Sequence, residues 1–309
     1  MDTQSIERQG SEDPSTGARK PRLPRLLTTA ALVFFALPFL TVTCYGETTV
    51  SGVQAATGVD LYPDDELGEQ ELVDEESPNA FAFVALVAAI AGVVLASGSA
   101  RSKNLAARVA AVGAIAVAGL FVYAFYRSWG GAWPRIGFTG ALMCLVGAAW
   151  AGVDRVPRWV VVATTGVAAA MIPGTVIGID ALDDHAWLSI PVYAGVFIAM
   201  ALAVGAIIAS MRSPEAIPSR SDPSALRVVC AGIVGLACVA VAAVGSVVLM
   251  SAMVSGEYEP AGVGSGYTFT ILVLTITTVT SLVAWTAGRA IVHGRRRAPI
   301  AAIRAEIGA

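Results

Sequence analysis

The sequence predicts an all-α polytopic membrane protein: a bundle of about eight transmembrane helices, N-in and C-in, with a small outer loop cap. Three observations predict it. The 309 residues are 56% hydrophobic and only 14% charged, whereas about a quarter of an ordinary soluble domain is charged. The apolar residues come in blocks that match a hydrocarbon core, which needs roughly 20 helical residues, and not in the alternating ten-residue segments of a transmembrane barrel. The basic residues mark one side of those blocks.

The blocks lie at about 26–43, 80–98, 105–126, 136–153, 159–179, 187–210, 228–254 and 268–292. The first is slightly short, and the seventh is long enough to tilt or project. Residues 1–25 are rich in Ser, Gly, Pro and mixed charge, which predicts a disordered cytoplasmic tail. The bundle occupies 26–293, including an acidic outer loop at 44–79, and 294–309 form a basic cytoplasmic tail. Lys and Arg accumulate in cytoplasmic loops. With both ends inside, only Arg127 and Arg135 of the 20 basic residues fall outside; an odd helix count breaks this alternation. Lys20 and Lys103 are the only lysines, and the helices are built from Ala, Val and Gly. That usage points to a GC-rich bacterial genome and hence to the plasma membrane.

The end of the first block raises its own question, because Cys44 follows the apolar run directly. A lipid-anchored signal peptide wants a small residue before the cysteine, but Thr43 stands there, and about 25 polar residues precede the helix. An intrachain disulfide has no partner, since Cys144, Cys230 and Cys238 all map within helices; an intermolecular bridge stays open, beside the reading of Cys44 as a small buried hydrophobe. The remaining reading is a membrane helix, bent near Pro38, that exits into a folded outer loop. There Thr48–Gln54 is β-prone and predicts a short strand or hairpin on the outer surface. The residues Leu37-Pro-Phe-Leu-Thr-Val-Thr-Cys44, followed by Ser51-Gly52 and Ala56-Thr-Gly58, resemble the first helix and loop of a group of uncharacterised actinobacterial multi-pass membrane proteins. The resemblance covers about 25 residues and implies no activity.

Small residues recur on several helices. Ala231, Gly235, Cys238, Ala242 and Gly245 form one stripe in the seventh helix; Gly140, Cys144, Gly147 and Ala151 form another in the fourth. Close backbone approach drives helix association in lipid, so these stripes predict packing faces. Thr270, Thr277 and Ser281 share a face of the last helix. They either bond their own backbone or line a polar path.

Chemistry is scarce. Charges that persist at mid-membrane usually mark ion paths or proton relays, yet no Asp, Glu, Lys, Arg or His falls in the middle of a predicted helix. Phosphate-binding loops, dinucleotide fingerprints, His-Glu-x-x-His and Cys-x-x-Cys are missing, and two histidines cannot build a histidine-rich metal site. The reading is therefore no enzyme, no cofactor and no metal. The basic segments flank helices and are short, so no nucleic-acid partner is implied; the partner they imply is the lipid bilayer.

Two outer features carry the functional expectations. Asp180, Asp183, Asp184 and His185 lie in a short loop beside three helix breakers, Pro38, Pro173-Gly174 and Pro191. Broken helices are tolerated where they face protein or a water-filled cavity, so these residues could line an outward-facing vestibule; otherwise they form a solvated turn. From 64 to 76, eight of thirteen residues are acidic, among them Asp64, Asp65, Glu66, Asp74, Glu75 and Glu76. Such a run is either a solvated face or an electrostatic guide for a basic envelope protein. Trp129 and Trp133 fit an interfacial aromatic belt, and Arg127 and Arg135 could pair with acidic loops or lipid phosphate. The expected function is a non-enzymatic envelope or partner-docking membrane protein. The alternative is a permease or channel for a small molecule.

Overall fold

The computed structural model describes residues 22–42, 48–58, 78–98, 100–128, 131–153, 156, 158–177, 189–211, 225–255 and 263–293. The acidic run and residues 1–21 and 294–309 of the expected tails lie outside them; residues 22–25, expected in the disordered tail, instead form the first turn of a helix. In chain order the elements are α1 (Arg22–Phe35), β1 (Pro38–Val42), β2 (Thr48–Ser51), α2 (Gly52–Thr57), α3 (Ala80–Leu95), α4 (Ala100–Arg127), β3 (Ala132–Pro134), α5 (Ile136–Ala151), α6 (Arg158–Ile177), α7 (Ser189–Ser210), α8 (Ala225–Ser255) and α9 (Val263–His293). The molecule is mostly helical. Four helices are long and apolar enough to cross a membrane, over Ser102–Arg127, Ile190–Ser210, Val229–Met253 and Ser265–Gly288; the apolar helices at Leu23–Phe35, Ala80–Leu95, Ile136–Ala151 and Trp159–Ile172 are shorter.

The first block corrects the purely helical expectation. Residues 26–43 do not form one helix: α1 stops at Phe35 and the chain continues as strand β1. Pro38 carries no amide hydrogen and pushes Leu37 out of helical geometry. The last turn tightens, with Ala36 N donating to Val33 O and Leu37 N to Phe34 O, both at 3.1 Å. Phe39-Leu-Thr-Val42 is then aromatic and β-branched enough to extend. β1 is the centre of a three-stranded antiparallel sheet ordered β2-β1-β3. A strand on each side satisfies its backbone, the condition for a non-helical segment packed among apolar helices.

The expected strand at 48–54 is real only to Ser51. There a capping box starts α2: Gln54 N donates to Ser51 Oγ, and Ser51 N donates to Gln54 Oε1. Gly58 ends α2 at φ 72°, the left-handed conformation that glycine adopts without cost.

The short helices explain where the sheet sits. At 1.5 Å per residue, α1 is about 21 Å long, and α3 and α5 about 24 Å, whereas α4 is about 42 Å. The sheet and α2 pack over the ends of the short helices, beside the far end of α4. Beneath them a continuous core of Ala, Val, Leu and Phe joins α1 and α3 to α7.

The small-residue stripes divide. A Cβ on Gly140 would run into the Phe34 ring, and one on Gly147 would stand 3.4 Å from Leu27. On α8, Ala242 is fully buried, Gly245 lies against Ile276, and Ala231 faces Gly288 of α9. Gly235 departs from the stripe: nothing lies within 4 Å of the position its Cβ would take. It sits off the line of closest approach, because α8 leans on α9 and most of its surface faces outward, with Leu236 62% exposed.

Candidate functional site: the sheet end

The sheet end is built as one sealed layer. Arg135 lies between β3 and α5. Its backbone amide donates to Phe39 O (2.9 Å), and its Nε donates to Thr41 Oγ1 (2.6 Å). Thr41 is fully buried in the middle of β1, and its oxygen lies 3.2 Å from Thr49 Oγ1 on β2. One guanidinium thus ties the start of α5 to two strands through charge-assisted bonding.

Below this tie runs a chain of rings: Phe35–Phe39 at 5.0 Å between centroids, Phe39–Phe138 at 5.5 Å, Phe138–Phe121 at 5.6 Å, Phe121–Tyr193 at 5.5 Å and Tyr193–Trp133 at 6.1 Å. The chain connects α1, β1, α5, α4, α7 and β3. Trp133 therefore belongs to this buried layer and not to an exposed belt; it is 4% exposed. The mouth of the acidic segment is closed as well. Asn79 N donates to Ala55 O (2.8 Å), so the chain leaves α2 and enters α3 at one place. Asn79 Oδ1 caps α3 by accepting from Phe81 N and Ala82 N. Tyr267 of α9 joins there, its hydroxyl accepting from Ala80 N at 3.1 Å.

The opposite end has its own fastenings. Arg108 donates from Nε to Ser210 Oγ (3.1 Å) and from Nη2 to Ser210 O (3.0 Å), placing a cation on the terminal carbonyl of α7. Trp150 Nε1 donates to Leu202 O (3.1 Å), and Trp150, Trp159 and Trp285 are mutually in contact at 5.7–6.4 Å.

The residues expected to form a vestibule (Asp180, Asp183, Asp184 and His185) lie outside the described residues, as do Cys44, Trp129 and the docking candidates Asp64, Asp65, Glu66, Asp74, Glu75 and Glu76. The backbone of α6 remains helical through Pro173 and Gly174. The hydroxyls of Thr270, Thr277 and Ser281 turn back onto Gly266 O, Val273 O and Thr277 O at 2.6–2.8 Å, so each satisfies itself within α9. A surface groove of about 260 Å³ runs along α9 between Ile271 and Val279, with Thr275 and Thr278 in its lining, and one of about 310 Å³ between α8 and α9 is lined mostly by apolar side chains. Among the described residues no three His, Cys, Asp or Glu side chains gather as metal ligands. The Arg135–Thr41 tie escapes sequence reasoning, because nothing in the chain links residues 94 positions apart; the available signal was that Arg135, like Arg127, breaks the expected charge pattern. Comparison with protein-family models, with curated proteins and with solved structures finds no match.

Proposed function

We propose that this chain is a multi-pass protein of the bacterial plasma membrane, crossing eight times with both termini inside. In this reading the sheet end faces outward and docks a basic envelope protein through the acidic run at 64–76. The carrying observation is the closed mouth of that segment: Ala55 and Asn79 are bonded to each other on a sealed layer. The segment between those two anchors carries eight acidic residues within the thirteen positions 64–76. Concentrated charge of one sign raises encounter rates with a partner of the other sign, and salt weakens the effect within a screening length of about 8–10 Å.

The filled interior favours docking over transport. Between α5, α6 and α7 the side chains of Val146, Val167, Met171, Val196 and Met200 are buried and apolar, so the described part of that wedge is lined mainly by groups that offer a polar solute nothing to bond.

The test neutralises Asp64, Asp65, Glu66, Asp74, Glu75 and Glu76 to Asn and Gln in the full chain. Insertion and thermal stability should persist, co-purification of an envelope partner should be lost, and raised salt should reproduce that loss with the wild-type chain. Retention of every partner by the neutralised protein would sink the docking reading.

A further inference from the structure

Helix α5 starts without a side-chain cap. Its N-cap residue, Arg135, is extended, and its guanidinium reaches Thr41 instead of the helix end. The first bond inside the helix is Thr139 N to Arg135 O (3.1 Å), so the amides of Ile136, Gly137 and Phe138 precede the ladder. Gly137 and Phe138 are buried. An N-terminus of this kind offers donors and a positive dipole end.

A second, independent feature lies in the same turn. Thr139 is 5% exposed, and its hydroxyl has no hydrogen-bond partner. The other buried helical threonines behave differently: Thr28, Thr175, Thr270 and Thr277 each donate back to a carbonyl three or four residues earlier. A helical side chain leans toward the N-terminus and covers the preceding turn, which directs Thr139 toward the uncapped amides. Burying a hydroxyl without a partner is costly, and such groups in folded proteins usually meet a water or ion.

We infer that the first turn of α5 binds a small hydrogen-bond acceptor, a halide or a water oxygen, with the Thr139 hydroxyl as its fixed side-chain donor. The site faces α7. Thr139 precedes Trp150 by eleven residues, three helical turns, so the two share a face, and Trp150 bonds Leu202 of α7. The opposite face of the turn is unsuited to an anion, because the carbonyl oxygens of Phe34, Leu37 and Pro38 crowd Gly137 there. The inference is independent of the docking reading.

The experiment uses full-length protein in detergent, as wild type, Thr139→Val and Thr139→Ser. Thermal midpoints are measured in sodium chloride and in sodium gluconate of equal ionic strength, and radiolytic oxidation of the fully buried Phe138 is followed by mass spectrometry. Thr139→Val should melt about 2–4 °C below wild type, and Thr139→Ser close to wild type. Chloride-dependent stabilisation of the wild type that Thr139→Val lacks identifies a halide. Chloride-independent midpoints, with Phe138 oxidation lost only in Thr139→Val, identify a bound water. If Thr139→Val melts at or above wild type, or Thr139→Val and Thr139→Ser fall alike, the first turn binds nothing through this hydroxyl.

Discussion

Gly137 packs its α-carbon directly against the end of α1: a Cβ there would stand 2.6 Å from the carbonyl oxygen of Pro38. The oxygens of Phe34 and Leu37 lie at 2.7 and 2.8 Å from the same point. All three are backbone atoms, and none can swing away as a flexible side chain would. The carbonyl end of α1 thus meets the amide end of α5, two helix dipoles of opposite sign in contact, at the place where β1 begins.

The first prediction follows from that contact. Gly137→Ala should force α1, β1 and α5 apart and destabilise the protein by about 1–3 kcal/mol, the usual cost of overpacking. A lowered thermal midpoint in detergent checks it. A midpoint equal to wild type would mean that the sheet end yields without strain.

Two glycines of the small-residue stripes should respond in opposite ways. Gly140→Leu would place a large side chain on the Phe34 ring, whereas Gly235→Leu would extend into open space. The yield of folded protein should collapse for Gly140→Leu and stay near wild type for Gly235→Leu. Size-exclusion profiles of the two variants decide the matter, and equal loss in both would place a helix neighbour against Gly235.

Arg108 should matter through geometry as well as charge. Its guanidinium makes two bonds to one residue, Ser210, and lysine, a point charge, cannot reproduce that fork. Arg108→Lys should therefore destabilise by about 1 kcal/mol. Ser210→Ala, which removes only the hydroxyl, should cost less. If Arg108→Lys unfolds at the wild-type midpoint, the fork contributes nothing beyond charge.

Most helices were legible because they are continuous apolar runs, and polar, glycine- or proline-containing stretches interrupt them. The blocks at 80–98 and 136–153 begin where α3 and α5 begin. The sheet was not legible as a sheet. Phe39-Leu-Thr-Val42 is as apolar as a membrane helix, so composition cannot separate a buried strand from a helical turn; only Pro38 announced the break. The candidate site divides in the same way. Arg135 stood out as a basic residue on the side expected to be acidic, but its partner Thr41 is chosen by the fold, through pairing of β1 with β3. Thr139 gave no sign, since a threonine in an apolar helix ordinarily bonds its own backbone.

The last prediction concerns orientation and uses exposed positions at the two ends. Thr49 lies on β2 of the sheet end, and Ser97 follows α3 at the opposite end; both are exposed. Arg101, Lys103 and Arg108 cluster near Ser97 in the chain, and the positive-inside trend places such a turn in the cytoplasm. In a chain with Cys44, Cys144, Cys230 and Cys238 replaced by Ala or Ser, a single Thr49→Cys should react with a membrane-impermeant maleimide in intact cells. A single Ser97→Cys should react only after the membrane is permeabilised. The pair is informative because α3 separates the two positions: if one reagent labels both from the same side, α3 does not cross. Labelling of Ser97→Cys alone in intact cells would invert the topology and turn the acidic segment toward the cytoplasm, where an envelope partner could not reach it.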